Sequence, residues 1–411
     1  MELFIEQKPH TFFGRIWLFI TMITIFYSFF FQYAIKAIGG AMFGLCALLI
    51  LFSFIQVFLV QKGRIAKSYL DPIVLFVIIS VLLTLGFTAK GYGTDLSIRM
   101  IEYVLTSYSI YLLLKEYPDY IEIVFWGNSL AITFLALSTF MNGVEVSSSG
   151  AIGLEGLNSN TMSSFLLIMF FTSFCLFYRK RRFVIRILLL FMIAVVAVAQ
   201  VSAASRRGFI VLVLFTFLSL VFGIIPLKAE NKSKKRFCFY VLLLLGIGVA
   251  LIFLQNYLLE KTLLGARLMG VYDGGDAART RYQTFAFQQF KEHPLLGIGL
   301  GGIAFHMGAY SHSLYYEMLA CTGIFGTLIF LYGIIKMLRT YWLSNKVFMN
   351  VDDQKTNIYL SRMGGIFLFC ILVSGIAVVM IYDFHFYYSL ALLVTLLSRI
   401  KASWRIVEYD E

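Results

Sequence analysis

Charge is scarce in this sequence. Only 14% of its residues are Asp, Glu, Lys or Arg, where a soluble domain carries about a quarter. That scarcity excludes a water-soluble fold of this length. Cysteine pairs are missing as well. Cys46, Cys175, Cys238, Cys321 and Cys370 are scattered in or at the edges of apolar runs, with no CxxC spacing. They read as small packing residues, not as a disulfide frame or a metal site. "GIGLGG", 297–302, lacks the preceding strand and following lysine of a nucleotide loop. It reads as a flexible turn that returns the chain to the membrane.

What is present is apolar length. The 411 residues are 60% hydrophobic, with a mean hydropathy of +0.84. Many runs reach the roughly 20 residues that cross a bilayer. Lipid offers backbone groups no partners, so each crossing run must be a helix. The sequence predicts an all-α polytopic membrane protein with about twelve transmembrane helices. The spans are 16–34, 38–60, 72–89, 97–114, 120–141, 161–178, 183–201, 208–225, 237–257, 315–336, 361–381 and 384–398. They form one membrane-embedded domain, 1–411. The first run is too long for a signal-peptide core and is read as a retained anchor.

The net charge of +12 reads as a topology signal; no nucleic-acid motif accompanies it. With both termini in the cytoplasm, 24 of the 34 Lys and Arg fall on that side, as cytoplasmic loops require. "RKRRFVIR" and "KAENKSKKR" both fall inside. The long segment 258–314 and the loop 142–160 then lie outside. No predicted span carries an ionisable residue near its centre, unlike ion-coupled transporters. The polar chemistry is expected at the outer face.

Four basic residues are expected there. Arg206 and Arg207 sit in "SAASRRGF", between two spans. They either snorkel to headgroups or meet an anion, since guanidinium forks onto phosphate oxygens. Arg279 and Arg281 begin a predicted helix over 277–292. Asp276 is its cap, Tyr282, Phe285, Phe287 and Phe290 form an aromatic stripe, and Pro294 stops it. The helix is expected to lie in the outer interface. Two residues apart, the arginines point to different faces, so only one of them reaches a buried site.

His312 lies just outside the tenth span, in "SHSLYYEMLACTGIFG", 311–326, with Ser313 as helix cap. It is either a hydrogen-bonded interfacial residue or a base. Gly323 and Gly326 are expected to let helices pack closely. His385 beside Asp383 reads as a supporting residue. His293, His306 and His312 lack metal-ligand spacing, so no metal and no cofactor is expected. Arginines and a histidine at one membrane face suit a lipid-linked diphosphate. The arginines would neutralise the leaving group, and an imidazole would take a proton from an attacking hydroxyl.

At these residues the sequence resembles the O-antigen ligase/polymerase superfamily of bacterial membrane glycosyltransferases. "ASRRGF" is similar to the family's SR-G segment, and "RTRYQTFAFQQFKEHPLLGIGLGG" to its Arg–aromatic helix–HPLLGxGxG segment. "HSLYYEMLACTGIFG" fits its His-[Asn/Ser/Gln]-nine residues-Gly-x-x-Gly pattern, and "LNSNTMSSF", 157–165, its upstream Asn segment. The three main segments cover about 205–326. The resemblance implies an inverting, metal-independent transferase in the bacterial plasma membrane, using a glycan on undecaprenyl diphosphate at the outer face. Arg206 and Arg279 match the family's diphosphate-binding arginines, with Arg207 and Arg281 as their duplicates, and His312 matches its base. Gln283 stands where the family often has Trp.

Three functions follow as expectations. The first is a polysaccharide polymerase (O-antigen, capsule or exopolysaccharide), whose acceptor is the next lipid-linked repeat unit and whose expected partner is a chain-length regulator. The second is a ligase whose acceptor is lipid A core or another surface anchor. The third is a flippase of lipid-linked sugars.

Overall fold

The computed structural model describes all residues except 1–10, 35–39, 64–66, 87–91, 142–144, 147–151, 154–158, 181, 204, 225–263, 266–276, 350–354 and 410–411. The ninth expected span, the basic cluster "KAENKSKKR", Cys238 and the Asp276 cap lie outside the described residues. The protein is a helical membrane protein. Thirteen helices of six or more residues are described. They are α1 (Phe12–Phe26), α2 (Ala41–Ile55), α3 (Asp71–Leu85), α4 (Tyr92–Glu116), α5 (Tyr120–Met141), α6 (Ser159–Arg179) and α7 (Phe183–Ser202). Then follow α8 (Arg206–Ile224), α9 (Ala277–Glu292), α10 (Gly302–Met307), α11 (Leu314–Met349), α12 (Lys355–Gly375) and α13 (Phe384–Tyr409). The only strand pairing among the described residues is a two-residue antiparallel bridge, Glu145–Val146 with Ile152–Gly153.

Seven of the described helices are long and apolar enough to cross a membrane: α1 with its π-helical continuation to Phe31, α2 with its continuation to Leu59, α5, α6, α7, α11 and α12. Eleven of the twelve expected spans coincide with a helix. α3, at 15 residues, is shorter than a full crossing.

Burial separates the helices into two kinds. In α6, 78% of the apolar window is buried inside the protein, against 22% in α2 and 28% in α7. α6, α12 and the run from Tyr387 to Leu397 of α13 therefore form the interior. α2 with its continuation and α7 turn Phe54, Phe58, Phe183 and Phe191 outward, as lipid-facing helices do. α13 packs on α4, α11 and α12, and α6 on α5, α7 and α8. Hydroxyls join the interior helices: Ser129 Oγ lies 2.9 Å from Ser173 Oγ, and Tyr388 donates to Asn128 Oδ1 at 2.8 Å. Such bonds are worth about 0.6 kcal/mol each in a bilayer.

At one end of the bundle Glu122 of α5 pairs with Arg179 (3.5 Å) and Lys180, and Arg399 of α13 donates to the Pro118 carbonyl (3.2 Å). At the other end the starts of α6, α8, α11 and α13 meet the end of α12.

α11 differs from the expected span in two ways. Its 36 residues rise about 54 Å, well beyond a hydrocarbon core of about 30 Å. The helix therefore carries on through 337–349, which was expected as loop, with Arg339 and Lys346 on its surface. It is also broken. Gly323 has φ 60° and ψ −165°, outside helical geometry.

The segment 294–299 fills that break. An unbroken helix would bond Ile324 N–H to the Ala320 carbonyl and Phe325 N–H to that of Cys321. Here Ile298 and Gly299 N–H donate to those carbonyls (2.8 and 3.0 Å). Ile324 and Phe325 N–H donate to the carbonyls of Pro294 and Leu295 (2.9 and 3.4 Å). Two helical bonds are exchanged for four with the loop, so every freed group is satisfied, as membrane depth demands. The exchange needs glycine on both sides. A Cβ on Gly297 (φ 70°) would stand 2.6 Å from the Ala320 carbonyl oxygen, and one on Gly323 would strike the Leu295 carbonyl.

Two expectations are corrected here. "GIGLGG" is no flexible turn; Gly297 to Gly302 are buried and hydrogen-bonded. Gly323 admits a loop backbone, and the nearest atoms to a Cβ on Gly326 belong to Thr322 of its own helix.

Candidate functional site

Arg207 is anchored at the end where α6, α8, α11 and α13 begin. It stands on the first turn of α8. Its Nη1 donates to Ser374 Oγ of α12 at 2.6 Å. Its Nη2 donates to the Asn160 carbonyl of α6 and reaches Ser164 Oγ at 3.5 Å. These partners are all neutral, so no hydrogen bond cancels its charge. Its Nε is buried with no partner among the described residues. The charges acting on it come from Asp383, which is attractive, and Arg279, which is repulsive. The local chain makes this possible. Gly208 leaves room where a Cβ would strike Ser163, and Ser205 Oγ holds both Asn160 Oδ1 (3.1 Å) and Gly208 N–H (3.3 Å).

A small cleft of ≈ 30 Å³ lies between α6, α12 and the start of α13. Thr161, Ser164, Ser374, Asp383, His385 and Ser389 supply its polar lining, beside apolar walls that include Ile371 and Phe386. Asp383 occupies the turn before α13. Burial pushes its carboxyl up to about 6 from the ordinary 3.8, against the pull of the Arg207 guanidinium. His385 packs against Phe165 (4.0 Å between ring centroids) and Phe29 (5.0 Å), and its Nε2 has no hydrogen-bond partner among the described residues.

The predicted helix over 277–292 is α9, which ends at the expected Glu292. Arg279 is half-buried and Arg281 exposed, so one of the pair faces inward. Arg279 is close enough for its charge to act on Arg207. The aromatic stripe divides. Phe285 packs beside Ala286, Ile298 and Cys321, whereas Phe287 is exposed and meets Tyr316 edge-on. Arg206 is half-buried at the start of α8. His293 and His306 are exposed.

His312 lies in the turn before α11, half-buried, with its ring 5.7 Å from that of Tyr282 of α9. Its φ is 58°, the left-handed region, which a residue with a Cβ seldom occupies. The turn abuts the Arg207 wall: Leu314 fills the space beside Gly375, and Tyr315 donates to the Leu372 carbonyl at 2.8 Å. Ser374, the Arg207 partner, lies between those two contacts.

Sequence reasoning passed over two residues. Glu317 is completely buried; it accepts Ser311 N–H (2.9 Å) and Tyr382 O–H (3.1 Å). Tyr382 also receives Gly301 N–H at 3.1 Å. Burial holds the Tyr382 phenol well above its ordinary value, so it keeps its proton and donates it. The available signal was a lone acid inside an apolar run. The four described cysteines are free and buried. No three His, Cys, Asp or Glu among the described residues form a metal-binding group.

The arrangement offers a positive wall (Arg207, Arg279), a carboxyl poised near neutrality (Asp383), and an imidazole on an adjoining turn (His312). Neither a family model nor a curated protein matches the sequence.

Proposed function

We propose that this chain is a membrane glycosyltransferase that polymerises surface polysaccharide in the bacterial plasma membrane. In this reading twelve helices cross the bilayer, both termini are cytoplasmic, and α9 lies at the outer interface. The donor is a glycan on undecaprenyl diphosphate, and the acceptor is the non-reducing end of the next lipid-linked repeat unit. The acceptor hydroxyl attacks the anomeric carbon as the bond from that carbon to the diphosphate oxygen breaks, so configuration inverts. Arg207 and Arg279 take up charge on the departing diphosphate. His312 receives the hydroxyl proton.

The observation that carries this reading is Arg207. It is a guanidinium held by neutral groups from two other helices, α6 and α12, within the field of Arg279, with the His312 turn packed against the same wall. An arginine serving only as a headgroup anchor has no need of such a socket. Resemblance to the O-antigen ligase/polymerase superfamily at "ASRRGF", "HPLLGIGLGG" and "HSLYYEMLACTGIFG" supports the choice of substrate. A ligase would use the same residues with a different acceptor.

The test is complementation of a deletion strain with Arg207→Ala, Arg279→Ala and His312→Ala, beside Arg206→Ala and Arg281→Ala, at matched membrane levels. Loss of the polysaccharide ladder in the first three, with single repeats still displayed, is expected of a polymerase. Full-length chains retained on lipid would make it a ligase. Repeat units trapped on the inner leaflet would point to a flippase, and a normal ladder in all variants would sink the site.

A further inference from the structure

A fully buried acid at the mouth of a membrane bundle is costly unless something uses it. Glu317 has no cation hydrogen-bonded to it among the described residues. Its donors are Ser311 N–H on Oε2, and Tyr382 O–H and Cys321 S–H (3.6 Å) on Oε1. Those donors come from different pieces of chain: the His312 turn, the turn before α13, and α11 itself. Tyr382 adds a fourth, because it receives Gly301 N–H from the loop that fills the α11 break.

His312 is held in left-handed backbone by its neighbours. Ser311 Oγ donates to the Ser313 carbonyl (2.9 Å) and accepts Ser313 N–H (3.4 Å), while Ser311 N–H is fixed by Glu317. Both serines are buried, so no water competes for these bonds. On the far side of Glu317, Tyr382 immediately precedes Asp383 of the cleft.

We infer that Glu317 and Tyr382 are positioning residues, a strut that holds the His312 turn at a fixed place relative to Asp383 and the Arg207 wall. The inference rests on the transferase reading and adds a role to two residues that touch no substrate. A displaced base loses rate steeply, because a misplacement of about 1 Å costs on the order of 100-fold.

The experiment uses the purified full-length chain in liposomes, with Glu317→Gln and Tyr382→Phe. It has three readouts: kcat and KM with undecaprenyl-diphosphate repeat units, thermal midpoint, and the rate of His312 carbethoxylation by diethyl pyrocarbonate. The expected result is a fall in kcat of roughly 10- to 100-fold, an unchanged donor KM, and altered His312 reactivity. A lowered midpoint with wild-type kcat and wild-type His312 reactivity would overturn the strut, leaving a stabilising role only. His312→Ala run in parallel separates the two claims. Full activity of that variant sinks the base, and the catalytic purpose of the strut with it. Its inactivity, beside wild-type kcat in both strut variants, removes the strut and leaves the transferase reading in place.

Discussion

Arg207 Nη1 donates to Ser374 Oγ across 2.6 Å and so ties the first turn of α8 to the last turn of α12. The next residue, Gly375, is bare where Leu314 packs. One short stretch of α12 therefore carries the arginine on one side and the His312 turn on the other. A site built across such a stretch is as rigid as the helix that carries it.

Arg207 and Arg206 are expected to separate cleanly. Arg207→Ala should lower polymer synthesis by about 100- to 1,000-fold, the usual loss of one donor to developing charge. Arg207→Lys restores charge but not the fork to Ser374 and Asn160, and should recover only part. Arg206→Ala should stay near wild type. The assay is single-turnover transfer with the purified chain; equal losses at both positions would contradict the placement.

Asp383 gives the protein a pH-dependent stability. Its folded value, about 6, is raised above the ordinary 3.8. The folded state therefore binds the proton more tightly than the unfolded state. The resulting stabilisation is complete below 3.8 and is lost as pH rises through about 6. Asp383→Asn should flatten the thermal midpoint across that window. A wild-type midpoint that climbs with pH there, or a variant with the same slope, contradicts the burial of this carboxyl.

Gly323→Ala should be severe and Gly44→Ala mild. The first puts a Cβ into the Leu295 carbonyl at φ 60° and ψ −165°, a region that is essentially glycine's alone and costs about 1–3 kcal/mol before the clash is counted. The second adds a methyl in open space on α2 and should gain up to about 1 kcal/mol of helix propensity. Thermal unfolding in detergent reads both.

The twelve-span arrangement predicts sidedness. Lys346→Cys, on the polar continuation of α11, should react with an impermeant maleimide only from the cytoplasm. Arg281→Cys, on the exposed face of α9, should react only from outside. Labelling of both from one side would remove the proposed topology.

Much of the fold was legible because lipid forces helix and because apolar runs mark where it must be. The end of α9 was legible, since Pro294 stops it two residues after Glu292. The site was partly legible. Two arginines spaced by two must diverge, and Arg279 turns inward while Arg281 does not. Which of Arg206 and Arg207 faces the bundle was not legible, because adjacent residues on a helix differ by about 100° and no local pattern sets the phase. The break at Gly323 was hidden for another reason. Its hydrogen bonds go to residues some 25 positions earlier, and a glycine in an apolar run looks the same whether it admits a helix or a strand of loop. Glu317 was hidden by its company, since the residues that make its burial tolerable, Ser311 and Tyr382, lie on either side of two helices.

The loop that fills α11 has a consequence for how this protein is rearranged. Residues 294–299 and 320–325 share one set of backbone bonds, so neither segment is complete alone. A chimaera that replaces α11 and keeps the native loop, or the reverse, leaves backbone carbonyls and amides without their partners. The smallest transplantable piece runs from the end of α9 through Gly326, with the His312 turn inside it.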